Sequence, residues 1–283
     1  GKWIAFSSEV YPECNGDDAC NKAEDEKTEG SKVQAKVTTR LLYRHWTEWR
    51  DRKRTHVFVV SSDGGTAKQF TQGDWDSPPY AASTGADFAF SPDSSEIAYL
   101  RNPDKVEAIS TNSDIYVGSV NGGTAKNITE QNKGYDVSPT YTTDGKYIIY
   151  RSQATGGFEA DRWRIMRYNR QSGETVELTT GFDLQVDEAI VSADNKTVYF
   201  TAAQRGLSPI FTVPVEPNFK LRIASHVKTL ISEGFNSSLN ITPDGKTLIF
   251  ASSSITMPSE IFSANAQANS KITKLSAGNA ELS

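Results

Sequence analysis

Thr143-Asp144-Gly145-Lys146-Tyr147-Ile148-Ile149-Tyr150 decides how this chain is read, because versions of it recur. The others are Ser91-Pro92-Asp93-Ser94-Ser95-Glu96-Ile97-Ala98-Tyr99, Ala193-Asp194-Asn195-Lys196-Thr197-Val198-Tyr199-Phe200 and Pro243-Asp244-Gly245-Lys246-Thr247-Leu248-Ile249-Phe250. A beheaded copy, Gly1-Lys2-Trp3-Ile4-Ala5-Phe6, opens the chain. The turn aspartates stand at 93, 144, 194 and 244, a spacing of 51, 50 and 50. An Asp-Gly or Asp-Asn pair supplies the positive φ that a two-residue hairpin turn needs, so each phrase is predicted to join two antiparallel strands.

A second phrase follows each copy: a short strand, a polar or Gly-rich turn, and another strand ending near Thr. It reads His56-Val57-Phe58-Val59-Val60 before Gly64-Gly65, Asp114-Ile115-Tyr116-Val117 before Gly122-Gly123, and Arg164-Ile165-Met166-Arg167-Tyr168 before Ser172-Gly173. Ser259-Glu260-Ile261-Phe262 is a weaker fourth. Four short strands per period of about fifty residues is the signature of a propeller blade. Blades stack face to face, which explains inner strands that are apolar on both sides. A sandwich has no reason to repeat a turn at constant spacing. The predicted fold is all-β, a β-propeller of four-stranded antiparallel blades. Its expected blades are 1–75 with an insertion at about 12–50, 76–130, 131–180, 181–232 and 233–283. Either five blades close here or blades upstream are absent, and the clipped first hairpin favours the second. The insertion's polar middle, Ala23 to Ser31, is too poor in apolar residues for a core, and is expected to be mobile or helical at the surface.

Hydrophobic residues make up 37% and charged residues 23% of the 283, a mixture that suits a folded chain. The net charge of -5 argues against a nucleic-acid surface, which needs a concentrated excess of Lys and Arg. Peptides or other proteins are the expected partners. No run of about 18 apolar residues occurs, so no membrane span is expected. Cys14 and Cys20 read either as a local disulfide, which implies a periplasmic or extracellular setting, or as two unrelated thiols. His45, His56 and His226 show no ligand spacing, and no metal or cofactor is expected.

No Gly-x-Ser-x-Gly elbow, phosphate loop, dinucleotide fingerprint or His-Glu-x-x-His occurs, and no strand–helix alternation marks a hydrolase domain. Three constellations remain. Leu42 to Asp51 interleaves aromatic rings with cations and a carboxylate, either lining a pocket or forming a packed edge with Arg stacked on Trp. Gly156-Gly157-Phe158-Glu159-Ala160-Asp161-Arg162-Trp163 sets two carboxylates beside an Arg, which suits either a cationic ligand or a loop salt bridge. Asn127, Asn195, Asn236 and Asn240 head Asn-x-Ser/Thr triplets of the kind propeller turns contain anyway.

Arg44-His45-Trp46-Thr47-Glu48-Trp49 with His56 to Val60, Phe88-Ala89-Phe90-Ser91-Pro92-Asp93, Gly157-Phe158-Glu159-Ala160-Asp161-Arg162 and Glu9-Val10-Tyr11-Pro12-Glu13-Cys14 together resemble the prolyl oligopeptidase family. Within that family the likeness is to dipeptidyl-peptidase-5-like and acylaminoacyl-peptidase-like enzymes, and it covers the whole chain. It implies a seven-bladed propeller, of which about five blades are here, capping a C-terminal α/β-hydrolase domain with a Ser-Asp-His triad. This chain lacks the triad and by itself is expected to be inactive. The implied role is substrate gating for a serine exopeptidase that releases dipeptides or acylated amino acids from oligopeptides, with a second copy of the parent as a further candidate partner. By the same resemblance, Glu159 is the candidate to hold the substrate's α-amine, Asp161 and Arg162 orient it, and His45 and Trp46 border the chamber; read from the loop's own residues, Phe158 and Trp163 would restrict water around the bound group. The alternative is a non-enzymatic periplasmic binding module that presents a face to a protein partner.

Overall fold

The computed structural model describes residues 1–33, 35–80, 87–218, 225–268 and 270–282. The chain divides into two compact units, one of 1–139 with 154–159 and the other of 140–153 with 160–283. In the first sheet β1 (Trp3–Val10), β4 (Arg54–Ser61) and β5 (Lys68–Gln69) run in that order. Between β1 and β4 come a helix, α1 (Asp18–Glu29), and a hairpin of β2 (Arg44–His45) and β3 (Glu48–Trp49). Four sheets of four strands follow, each ordered as in the sequence. They are β6 (Phe88–Phe90) to β7 (Glu96–Arg101), β8 (Asp114–Ser119) and β9 (Lys126–Asn127); β10 (Asp136–Tyr141) to β11 (Tyr147–Ser152), β12 (Arg164–Asn169) and β13 (Thr175–Glu177); β14 (Val186–Val191) to β15 (Thr197–Ala202), β16 (Ile210–Pro214) and β17 (Lys228–Ile231); and β18 (Phe235–Ile241) to β19 (Thr247–Ser254), β20 (Met257–Asn265) and β21 (Thr273–Lys274). Four-stranded meanders at fifty-residue intervals are the β-propeller architecture read from the repeats.

The repeated turn differs from the two-residue loop expected. In the first copy Ser91 N–H donates to the Glu96 carbonyl, and four residues bulge out between them. Only the third of those four takes positive φ, at Ser94, Gly145, Asn195 and Gly245 (61–69°). The residue two before each aspartate closes the loop. The hydroxyls of Ser91, Thr142, Ser192 and Thr242 donate to the Oδ1 of Asp93, Asp144, Asp194 and Asp244 at 2.6–2.7 Å. Each also accepts the N–H five residues on, at 2.9–3.1 Å. These bonds, led by the Ser/Thr hydroxyl, hold the Asp194 and Asp244 carboxyls below their usual range.

A second device, in four of the sheets, joins the next-to-last strand to the residue two past the end of the last strand. The N–H groups of Val57, Ile115 and Ile165 donate to the hydroxyls of Thr71, Thr129 and Thr179, and Ile261 N–H to that of Ser276. The apolar strand residues then pack in layers within each unit. Val59, Ile97 and Tyr99 gather in the first unit, while Phe200, Phe211 and Val213, then Leu248 and Phe250, gather in the second.

Of the two readings for the insertion's middle, the helical one holds. Asp17 caps α1 by accepting the Cys20 N–H at 2.7 Å, and the Cys14–Cys20 disulfide staples the helix start to the turn before it. Tyr11 O–H donates to Asp25, Lys53 pairs with Asp25 at 2.7 Å, and Arg52 pairs with Glu24 at 2.8 Å, so the helix lies against the entry to β4.

Candidate functional site

Trp46 and Thr47 turn the β2–β3 hairpin, with Arg44 opposite Trp49 and His45 opposite Glu48. Trp46 sits at φ 49° and is 83% exposed at the tip. One face carries Tyr43 stacked on Trp49, with the Arg44 guanidinium over the Trp49 ring. His45 packs edge-on against Trp46 and Tyr80.

Arg50, next in sequence, is the anchor. Its backbone N–H extends the hairpin by donating to the Tyr43 carbonyl at 2.9 Å. Its side chain, only 8% exposed, donates to Asp76 and to Glu107 (2.6 Å), and the guanidinium lies 5.1 Å from the Tyr80 ring centre. Burial pushes the Asp76 carboxyl up to about 6, against the pull of Arg50 and of the Thr55 N–H that it accepts.

Two cavities share Arg50 and Asp76 as wall residues. One, of about 90 Å³, also has Arg40, Leu41, Asp74, Trp75 and Glu107 on its wall. The other, of about 330 Å³, is lined by Glu9 from β1, Glu48 and Trp49 from β3, Asp51, Lys53, Lys36 and Tyr80. Burial first, and then the neighbouring Glu48 and Glu9 carboxylates, hold the Tyr80 phenol above its usual range.

The sequence-predicted loop is a separate feature, running across the division between the two units. On the first unit's side, Gly157 N–H donates to the Thr111 hydroxyl at 2.8 Å, and Gly156 passes so near Lys133 that a Cβ would stand 2.5 Å from its carbonyl oxygen. Phe158 and Glu159 are exposed. On the second unit's side, Asp161 accepts its neighbour's N–H at 2.8 Å, while the Arg162 guanidinium donates to the Phe182 carbonyl (2.7 Å) and to Glu177 (3.1 Å). Arg164 shares Glu177 at 3.4 Å. Neither cavity is lined by Phe158, Glu159, Asp161, Arg162, His45 or Trp46; His45 packs against Tyr80, a wall residue of the larger one, and Trp46 packs against His45. Glu9, Asp76, Tyr80 and Glu177 were not singled out from sequence. No group of three His, Cys, Asp or Glu among the described residues is placed to hold a metal.

The model of the TolB beta propeller domain matches residues 81–283. The chain belongs to that family. As a TolB-type propeller it has relatives among peptidases. It is 33% identical over 248 residues to dipeptidyl-peptidase 5 of Porphyromonas endodontalis, which covers 86% of this chain and 35% of that protein. To dipeptidyl-peptidase 5 of Porphyromonas gingivalis it is 30% identical over 191 residues, 65% of this chain and 28% of that one. The propeller thus spans about a third of the length of these curated relatives. Among solved structures, the acylaminoacyl peptidase of Pyrococcus horikoshii has the same fold with a TM-score of 0.64, at 15% identity, over 98% of this chain and 37% of that one. The putative TolB of Agrobacterium tumefaciens gives 0.54 at 19% identity, over 78% and 74%. The peptidase resemblance read from the motifs is borne out.

Proposed function

We propose that this chain is the propeller part of a serine exopeptidase that takes dipeptides or acylated amino acids from peptide N-termini, with the loop Gly156–Arg162 presenting Glu159 to the substrate's α-ammonium. The carrying observation is the 33% identity to a dipeptidyl-peptidase 5 over 86% of the chain. The geometry supports it, because the Thr111 hydroxyl accepts the Gly157 N–H shortly before Glu159, and Glu159 is exposed. An ammonium held by a carboxylate at a fixed place counts distance from the chain end and so selects the bond that meets the nucleophile. The partner in this reading is an α/β-hydrolase domain of the same parent, which carries the nucleophile, and the propeller gates its substrates. The Cys14–Cys20 bond supports an oxidising compartment, periplasmic or extracellular.

In the parent enzyme, Glu159→Gln is expected to lower kcat/KM for free-amine dipeptidyl substrates about 10- to 100-fold, the loss of one charge-assisted hydrogen bond. Unchanged kcat/KM removes the amine anchor. A second reading is a non-enzymatic binding module for a protein partner. A parent gene with no hydrolase segment, together with tight capture of one protein by this chain, decides for the module.

A further inference from the structure

Between α1 and the β2–β3 hairpin the backbone lies open. Residues 35–41 are exposed and belong to no helix or strand, and among the described residues their N–H and C=O groups make no hydrogen bond. Position at the surface does not by itself produce this. Lys146, Lys196 and Lys246 are exposed as well, yet each gives its N–H to the turn aspartate at 3.0–3.1 Å. A protease takes its substrate as an extended strand through those same backbone groups, so a segment without internal bonds is cut as it stands, whereas a bonded turn must open first.

The elements on either side of the open segment are anchored. Before it, α1 is stapled by Cys14–Cys20 and tied through Glu24 to Arg52 and through Asp25 to Lys53. After it, the hairpin is held by Arg50, paired with Asp76 and Glu107. Two cations stand in the open stretch. Arg40 is committed to Asp74 at 2.6 Å. Lys36 is exposed and makes no ion pair among the described residues, and Val37 after it is 89% exposed.

We infer that the Lys36–Val37 peptide bond is a processing site for a trypsin-like serine protease, one that selects lysine or arginine side chains, and that the cut chain stays together. In the cut, the protease's serine oxygen adds to the Lys36 carbonyl carbon. The bond to the Val37 nitrogen breaks, and that nitrogen leaves as an amine with the serine's proton. Water then takes the acyl group, which restores the serine and leaves a carboxylate on Lys36. The piece 1–36 remains bound to 37–283 through the β1–β4 ladder, paired from Trp3 opposite Ser61 to Val10 opposite Arg54, and through the ion pairs of Arg52 and Lys53 with α1. The cut thus removes the covalent link between α1 and the hairpin and leaves the anchors of both. Neither the exopeptidase reading nor Glu159 enters this inference.

Brief digestion of the chain with dilute trypsin, followed by intact-mass measurement under denaturing conditions, tests it. The expected masses include the pair 1–36 and 37–283, formed before any cut after Arg40, Lys146, Lys196 or Lys246. On a native sizing column the two pieces elute together. Lys36→Gln slows formation of that pair at least about tenfold, because the protease's lysine pocket loses its charge partner, and Arg40→Gln leaves it in place. Earlier cleavage at any of those other four residues, formation of the pair at an unchanged rate in Lys36→Gln, or separation of the pieces on the column overturns the inference. Hydrogen exchange on the unsubstituted chain gives a check that needs no variant: amides of 35–41 exchanging within the shortest labelling time support the open segment, and protected ones reject it.

Discussion

Ser91, Thr142, Ser192 and Thr242 each use one hydroxyl twice, giving its proton to the turn aspartate and receiving a backbone N–H. Thr142 is fully buried, so Thr142→Val leaves the Tyr147 N–H and the Asp144 carboxylate each short of a partner. The expected loss is about 1–2 kcal/mol, read as a lower urea midpoint with unchanged slope. The aspartates were legible because they recur at a fixed interval. Their Ser/Thr partners were present in the same sequence, but they looked like any small turn residue until the loop proved to be four residues long. Glu159 was singled out through motif likeness. Glu9, Glu48, Asp76 and Tyr80 come from separate segments, and no spacing in the sequence announces that they share a wall.

At the scale of elements, the helix α1 depends on its cap, its staple and the pairs that Arg52 and Lys53 make with it. The surface of α1 has no buried residue, so its stability owes little to a core. Cys14→Ser with Cys20→Ser is expected to cost that element about 2 kcal/mol. Hydrogen exchange is the check, with amides of 18–29 exchanging faster and those of β11 and β15 unchanged. A second element-scale prediction concerns the segment after β21. Glu260, its side chain 2% exposed, accepts the Ser276 hydroxyl and the N–H groups of Asn279 (2.8 Å) and Gly278 (3.3 Å), which hold its carboxyl down to about 2. A depressed carboxyl stabilises above its ordinary range near 4.5 and stops doing so as pH falls toward 2. Amide signals of Gly278 and Asn279 should therefore move with a midpoint near 2, and Glu260→Gln should abolish that titration. The helix itself was half legible, since polar composition excluded a core without choosing between order and mobility.

For the whole molecule, His56 ties one sheet's stability to pH. It is fully buried, with Nδ1 at 3.0 Å from the Thr71 hydroxyl and Nε2 at 3.0 Å from the Gly73 carbonyl, its ring edge-on to Trp75. Burial lowers its pKa below 6.5. Stability from the neutral ring is complete above 6.5 and is eroded as pH falls through the folded value. Urea midpoints should decline as pH drops below about 6.5, and the decline should flatten in His56→Gln. The architecture was legible at this scale because one period repeats, and a periodic signal survives substitutions that hide any single strand. The closing bonds of each turn lie within six consecutive residues, and that locality has a genetic corollary. A stretch of DNA encoding one period carries its own turn-closing bonds, while its apolar faces are buried against the next copy, so a whole period is the unit that can be duplicated or lost with its turn intact.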